Sequence, residues 1–124
     1  MLLYPDPKLR APNATISCFD ESLRQLAEQM FEVMYQDDGV GLAAPQVGVN
    51  VRLMVFNESG DKNKKDLEVV LVNPRIISTS NDAKVFEEGC LSFPEMYGDV
   101  VVRWGYCVEM YCIFVYLFNL RNAF

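Results

Sequence analysis

The sequence predicts an α+β fold in which one N-terminal helix precedes strands that form antiparallel sheets. Two observations support this prediction. A single stretch repeats apolar residues at intervals of three and four, and several short apolar runs follow it. The 124 residues, of which 51% are hydrophobic and 23% charged, are enough to bury one core. We therefore expect a single globular domain, and the sequence contains no internal repeat.

The helix is predicted to begin after Asp20. This residue is a suitable N-cap, because its carboxylate can accept a hydrogen bond from the first free backbone N–H groups. An apolar stripe then runs along one face for about four turns. The stripe consists of Leu23, Leu26, Ala27, Met30, Phe31 and Met34. Asp37, Asp38 and Gly39 end the helix, and we expect Gly39 to supply the backbone freedom for the exit.

Short apolar runs after the helix predict the strands. Residues 52–56 form the first, and a polar loop at 57–65 separates it from the second, at 69–72. The second run is expected to be well buried, and Asn73 and Pro74 stop it. Shorter candidate strands lie at 76–77, 83–86 and 99–103.

Charge and cysteine content exclude several classes of protein. A net charge of −6 argues against general affinity for nucleic acid or for anionic membrane surfaces. The cysteines contain no CxxC pair, which favours a reduced compartment. They are Cys18, Cys90, Cys107 and Cys112. The chain runs from Met1 directly into a turn-forming sequence at 4–7, so no targeting peptide is predicted in it.

The composition changes at residue 104. Seven aromatic residues lie in 104–124, and only Glu109 and Arg121 are charged there. The apolar run at 110–118 is too short for a membrane-spanning helix, which needs about twenty residues. Three interpretations remain open: a core strand with its extension, a contact with a membrane or partner, or an ending foreign to the preceding domain. Such a tail is prone to aggregation, because it is apolar, β-prone and nearly uncharged.

Two segments carry residues suited to catalysis or binding, and the first is the turn at 39–46. Gly39 and Gly41 flank Val40, and the missing Cβ atoms would let the backbone of a ligand approach closely. A tight turn after a helix would look the same. Gln46 offers an amide N–H that could polarise a carbonyl oxygen, although a lone glutamine is more often a surface residue.

The second segment surrounds Cys90. This thiol could be a metal ligand or a nucleophile, but a single cysteine is more often a small buried apolar residue. Glu87 and Glu88 could support a site, yet adjacent acidic residues are mostly solvated. Taken singly, none of these residues assigns a function.

The longer strings around these residues resemble the peptide deformylase family. GVGLAAPQVGV at 39–49 is followed about forty residues later by FEEGCLSFPE at 86–95. Four shorter strings agree with the same family, namely PDPKLR, FEVMY, RLMVFN and LVNPRI. The sequence around RLMVFN and EEGCLSFP is most similar to the plant organellar and bacterial forms. The resemblance covers residues 1–103. It implies the family's α+β fold, incomplete before the central metal-binding helix, with a tail at 104–124 that departs from the pattern.

The resemblance also implies roles for individual residues. Cys90 would bind the catalytic metal, which is Fe²⁺ in the family, with Zn²⁺, Ni²⁺ or Co²⁺ as substitutes. Gln46 and the backbone N–H of Leu91 would hold the developing oxyanion. Glu88 would not bind the metal itself but would help to anchor the residues that do. The backbone of the substrate would extend along Gly39, Val40, Gly41 and Gly89 like an added strand.

One departure from the family pattern is large. The family's His-Glu-x-x-His helix supplies two imidazole ligands and the general acid/base, and this sequence contains no histidine. Cys90 alone cannot hold an open tetrahedral site, which normally uses three protein ligands. Cys107 and Cys112 are not expected to replace them, because their spacing in a strand puts them on opposite faces. Without that helix, apolar surface on the Leu71 and Val85 strands should lie uncovered.

Two functions therefore remain open. The first is a metal-dependent amide hydrolase that removes the formyl group from the N-terminal methionine of nascent proteins, meeting them at the ribosome. The second is a non-catalytic deformylase-like protein, or a weak binder of methionine-headed peptides. We expect this chain to be inactive on its own. The family works in plastids, mitochondria and the bacterial cytoplasm, so the resemblance implies one of these compartments.

Overall fold

The computed structural model describes residues 1–79, 81–103 and 106–109, and it confirms one helix followed by antiparallel sheets. Helix α1 is Glu21–Gln36. The strands are β1 (Gly41–Ala43), β2 (Leu53–Phe56), β3 (Val69–Val72), β4 (Arg75–Thr79), β5 (Ala83–Cys90), β6 (Phe93–Arg103) and β7 (Tyr106–Glu109). Short 3-10 helices lie at Pro7–Arg10, Ala44–Val47 and Lys65–Leu67. In this part of the chain no helix is long and apolar enough to cross a membrane.

Helix α1 begins and packs as its sequence predicts. Asp20 caps it, with Oδ1 accepting a hydrogen bond from the backbone N–H of Leu23 at 3.1 Å. The predicted stripe faces the core, since Leu26 is partly buried and its other five members are buried. The exit differs from the prediction. The left-handed conformation falls on Asp38, with φ of 53°, and Gly39 has no positive φ.

The Asp20 cap should make stability depend on pH. Hydrogen bonds from the Ser22 hydroxyl and the Leu23 N–H lower the pKa of Asp20 to about 2. The ordinary pKa of this carboxyl, 3.8, applies in the unfolded chain. Because the pKa is lower in the folded protein, the ionised carboxylate stabilises the fold at pH values above 3.8, and this contribution is lost as the pH falls towards 2. Asp20→Ala should therefore lower Tm at neutral pH, and the difference from the parent should disappear at acid pH.

Circular dichroism melts of the parent and Asp20→Ala between about pH 7 and pH 2 test this expectation. Asp20→Asn is the matched control, because asparagine caps helices without a titrating charge. A Tm difference between the parent and Asp20→Ala that stays constant across the whole range would contradict the assignment.

A three-stranded antiparallel sheet, in the order β1-β2-β3, packs against α1. Its register pairs Leu42 with Val55, and Val55 with Val70. The inward side chains of the sheet and the helix form the core, and they include Met30, Met34, Leu42, Val55 and Val72. The run at 69–72 is confirmed as a strand, but it is buried on one face only, with Val69 and Leu71 half-buried.

Strands β5 and β6 form a separate two-stranded ribbon that is longer than the sequence suggested. Val85 pairs with Val101, and these side chains are 62% and 68% exposed. The expectation of uncovered apolar surface is thus confirmed for the Val85 strand. Strand β4 pairs with β7 in a second ribbon, where Ile76 is also exposed. Of the predicted tail at 104–124, only residues 106–109 belong to the described part of the chain.

The polar loop after β2 is organised around one buried amide. Asn57 is fully buried, and its Nδ2 donates to the carbonyl oxygens of Asp61 and Lys64 and to the Tyr35 hydroxyl. Its backbone N–H donates to the carbonyl oxygen of Val40 at 2.9 Å. The loop therefore supports the segment that leads from α1 into β1.

Candidate functional site

The turn between α1 and β1 brings the first candidate segment against the second. Gly39 is buried, and its N–H donates to the Met34 carbonyl oxygen at 2.8 Å. A Cβ atom on Gly39 would lie 2.5 Å from Cδ1 of Leu91. A glycine is therefore required here for close packing and not for an unusual backbone angle. Val40 follows with 57% of its surface exposed, and Gly41 begins the edge strand β1.

Gln46 lies in the short helix Ala44–Val47, directly after β1, and its carboxamide is held at both ends. Oε1 accepts a hydrogen bond from the Ala43 N–H at 2.9 Å. Nε2 donates to Ser92 Oγ at 3.2 Å and lies 3.8 Å from Cys90 Sγ. Gln46 and Cys90 are 44 positions apart in the sequence, yet the fold places an amide donor opposite a thiol.

Cys90 is the last residue of β5 and is exposed. Its strand partner is Phe93, and the register shifts between Gly89 and Cys90, so Leu91 and Ser92 form the turn to β6. Leu91 packs its side chain on the core.

The flanks of Cys90 are more open. Glu88 is exposed in β5, so its carboxylate faces solvent. Gly89 is also exposed, although the Tyr97 ring lies beside it: the ring atom Cε1 is 2.9 Å from the position that a Cβ atom on Gly89 would take. Tyr97 is itself 73% exposed, so its ring has room to move.

The N-terminal residues fasten the two segments together. The Leu2 N–H donates to the Gln46 carbonyl oxygen at 2.6 Å, and the Tyr4 N–H donates to that of Ser92 at 2.9 Å. The Tyr4 ring stacks on Phe93 with centroids 4.8 Å apart. Both segments are therefore anchored to the same short stretch of backbone.

The residues at this site do not fit a catalytic metal. An open tetrahedral site normally uses three protein ligands, but Cys90 is the only thiol at the site among the described residues, and the sequence contains no histidine. The Gln46 Nε2 lies 3.8 Å from its sulfur, and this amide nitrogen is a hydrogen-bond donor and not a metal ligand. Among the residues that the structure describes, no group of three or more His, Cys, Asp or Glu side chains could hold a metal ion.

The structure thus brings together four of the residues chosen from the sequence, namely Gly39, Gln46, Cys90 and Leu91. Sequence reasoning assigned no role to Ser92, which is only 3% exposed and bonds to Gln46. A serine after Cys-Leu carries no local signal of such a contact, because its partner lies 46 residues away.

Comparison with known sequences gives a consistent picture. The family model described as polypeptide deformylase matches residues 1–108. A rice protein named peptide deformylase 1B, chloroplastic, is 58% identical over 98 residues, which are 79% of this chain and 36% of that protein. A peptide deformylase of Rhizobium meliloti is 39% identical over 100 residues, covering 81% of this chain and 57% of that one.

Solved structures show the same similarity. A plant peptide deformylase crystal structure superposes with a TM-score of 0.84 at 51% identity, covering 88% of this chain and 59% of that one. A Plasmodium falciparum peptide deformylase gives a TM-score of 0.86 at 36% identity, covering 90% and 64%. In all of these comparisons the chain spans only part of the relative, from 36% of the rice protein to 64% of the Plasmodium structure.

Proposed function

The chain belongs to the polypeptide deformylase family, and we propose that its 124 residues receive a formyl-methionyl peptide but do not hydrolyse it alone. Members of this family are metal-dependent enzymes that act on nascent formyl-methionyl peptides. One observation carries the proposal. The Gln46 carboxamide is held with a donor facing Cys90, beside the end of the edge strand β1.

The peptide would bind along β1 as an added strand. In the described part of the chain, β1 pairs only with β2, so its other edge is available to an extended ligand. Gly41 and the N–H of the exposed Val40 would offer backbone groups there, since the Val40 carbonyl already accepts from Asn57, and Gly89 would contribute beside Cys90. Backbone hydrogen bonds would supply affinity, while the methionine side chain would need an apolar pocket.

Gln46 and Leu91 would bind the formyl oxygen. An N–H group placed before the reaction lowers the energy of the negative charge that develops on a carbonyl oxygen under attack. The Gln46 amide already faces the position next to Cys90, and the Leu91 N–H follows that residue directly in the turn. Glu88 would act only through its charge, since it is exposed.

Hydrolysis needs more than this arrangement. In the family a divalent metal, Fe²⁺ or its substitutes Zn²⁺, Ni²⁺ and Co²⁺, supplies an activated water molecule when bound. Cys90 would be one ligand, and these 124 residues contain no histidine to provide others. We therefore expect binding of a formylated peptide without turnover.

The test is deformylation of formyl-Met-Ala-Ser by the purified chain, loaded anaerobically with Fe²⁺ and separately with Ni²⁺. We expect turnover no higher than in Cys90→Ala, and less than one metal ion bound per chain. In a parallel titration the formylated peptide should bind weakly, and Gln46→Ala should weaken it about 3- to 10-fold, as expected for one hydrogen bond.

Two results would refute the proposal. Turnover clearly above the Cys90→Ala control would mean that other groups complete the metal site. Equal affinity for the formylated and the unformylated peptide would mean that Gln46 does not hold the formyl oxygen.

The compartment is also a proposal. The identity to the chloroplastic rice relative exceeds that to the Rhizobium protein, 58% against 39%. We infer that the protein works in a plastid or mitochondrion, where nascent chains at the ribosome would present formyl-methionine; for a bacterial source the cytoplasm would take this place. No nucleic-acid partner is expected, given the net charge of −6.

A further inference from the structure

Ser92 is a buried hydroxyl with one specific partner. Only 3% of the residue is exposed, although it lies in the turn after the exposed Cys90. Its Oγ accepts a hydrogen bond from Gln46 Nε2 at 3.2 Å. A buried hydroxyl in a short turn is costly unless it is bonded, so this contact stabilises both side chains in one arrangement.

The two ends of the Gln46 carboxamide are distinguished by their neighbours. The Ala43 N–H, 2.9 Å away, can only donate, so it must face the carbonyl oxygen Oε1. The amino group must then face Ser92, and one of its two hydrogens is taken by Oγ. The other remains on the side of Cys90 Sγ, 3.8 Å from Nε2.

The backbones that carry these side chains are held by the same N-terminal segment. Leu2 donates to the Gln46 carbonyl oxygen and Tyr4 to the Ser92 carbonyl oxygen. The hydrogen bond between the two side chains therefore joins two anchored backbones, so the chain loses little conformational entropy when this bond forms. Without the hydroxyl, the carboxamide would keep only the hydrogen bond from the Ala43 N–H and the long contact to Cys90 Sγ, and its amino group would be held less firmly.

We propose that Ser92 is a positioning residue that orients the Gln46 carboxamide, so that one N–H points to the position beside Cys90. The use of that N–H to hold a formyl oxygen rests on the proposed function, whereas the orientation itself does not. Ser92 would not touch the peptide, and it would act only through Gln46.

The orientation can be measured directly by NMR of the ¹⁵N-labelled chain. In the parent, the side-chain NH₂ group of Gln46 should have an order parameter typical of rigid groups, about 0.8, and in Ser92→Ala it should fall below about 0.6. Ser59→Ala is the matched control, because it removes another hydroxyl that bonds to a buried amide, that of Asn57. It should leave the Gln46 signal unchanged.

Peptide binding gives the second readout. Ser92→Ala should weaken binding of formyl-Met-Ala-Ser about 3- to 10-fold, but it should cause no further loss in a Gln46→Ala background. Binding of the unformylated peptide should not change. A residue with only a structural role would instead weaken both peptides and would add its effect to that of Gln46→Ala.

An unchanged Gln46 NH₂ order parameter in Ser92→Ala would overturn the inference, and so would additive losses in the double variant. If the parent binds no peptide, the proposed function fails, while the NMR comparison still decides the role of Ser92. If alanine unfolds the chain, Ser92→Cys decides it, because sulfur preserves the volume but is a weak acceptor.

Discussion

Asn57→Ala is expected to destabilise the protein by about 3 kcal/mol, because it removes a buried hydrogen-bonded hub. The amide donates to the carbonyl oxygens of Asp61 and Lys64 and to the Tyr35 hydroxyl, and it accepts from Ser59. Alanine removes all of these hydrogen bonds at once and leaves a cavity at a position where the Asn57 side chain is fully buried. Urea unfolding followed by circular dichroism measures the loss.

The matched control for this change is Asn63→Ala in the same loop. Asn63 is exposed, and within the described residues its side chain bonds only to the nearby Asp61 carboxylate, 3.0 Å away. Its removal should change the free energy of unfolding by less than about 0.5 kcal/mol. Equal losses in the two variants would mean that the loop, and not the buried Asn57 amide, sets the stability.

Gly39→Ala is expected to cost about 1–3 kcal/mol through overpacking. The new Cβ atom would lie 2.5 Å from Leu91 Cδ1 and 3.2 Å from the Met34 carbonyl oxygen. Leu91 would have to move, and this residue directly follows Cys90. We therefore expect binding of formylated peptides to fall together with stability, as measured by urea unfolding and by peptide titration.

Gly41→Ala separates these two effects. The nearest atom to its Cβ position is Phe56 Cβ at 3.6 Å, which is an ordinary van der Waals contact. Stability should stay within about 0.5 kcal/mol of the parent, whereas peptide binding along β1 should weaken because the ligand approaches this backbone. A loss of stability as large as that of Gly39→Ala would contradict the packing argument.

Much of the fold could be predicted from local patterns. The cap at Asp20 and the stripe from Leu23 to Met34 specify α1, because helical periodicity and capping act within a few residues. Strands β2 and β3 were also predicted close to their observed bounds. Strand β1 was not, since its three residues Gly41–Ala43 have no alternating pattern of their own.

Errors arose where a distant contact decides the role of a residue. Gly39 was expected to serve the helix exit, but the left-handed angle lies at Asp38, and Gly39 is instead packed against Leu91. The run at 69–72 was expected to be well buried, and Val70 and Val72 do pack in the core, whereas Val69 and Leu71 on the other face are half-buried.

The sequence by itself determined the family and the single helix, and it singled out Gln46 and Cys90, whose side chains the fold brings within 3.8 Å of each other. These sequence features depend on residues that are close in the sequence, as helical spacing, caps and motif strings do, so they can be predicted without coordinates. Only the tertiary structure decided how Gln46 is oriented and what Ser92 does. These properties depend on a hydrogen bond across 46 residues and on backbones anchored by the N-terminal segment. No local pattern encodes such a contact, because its energy arises only when the folded chain brings both partners together.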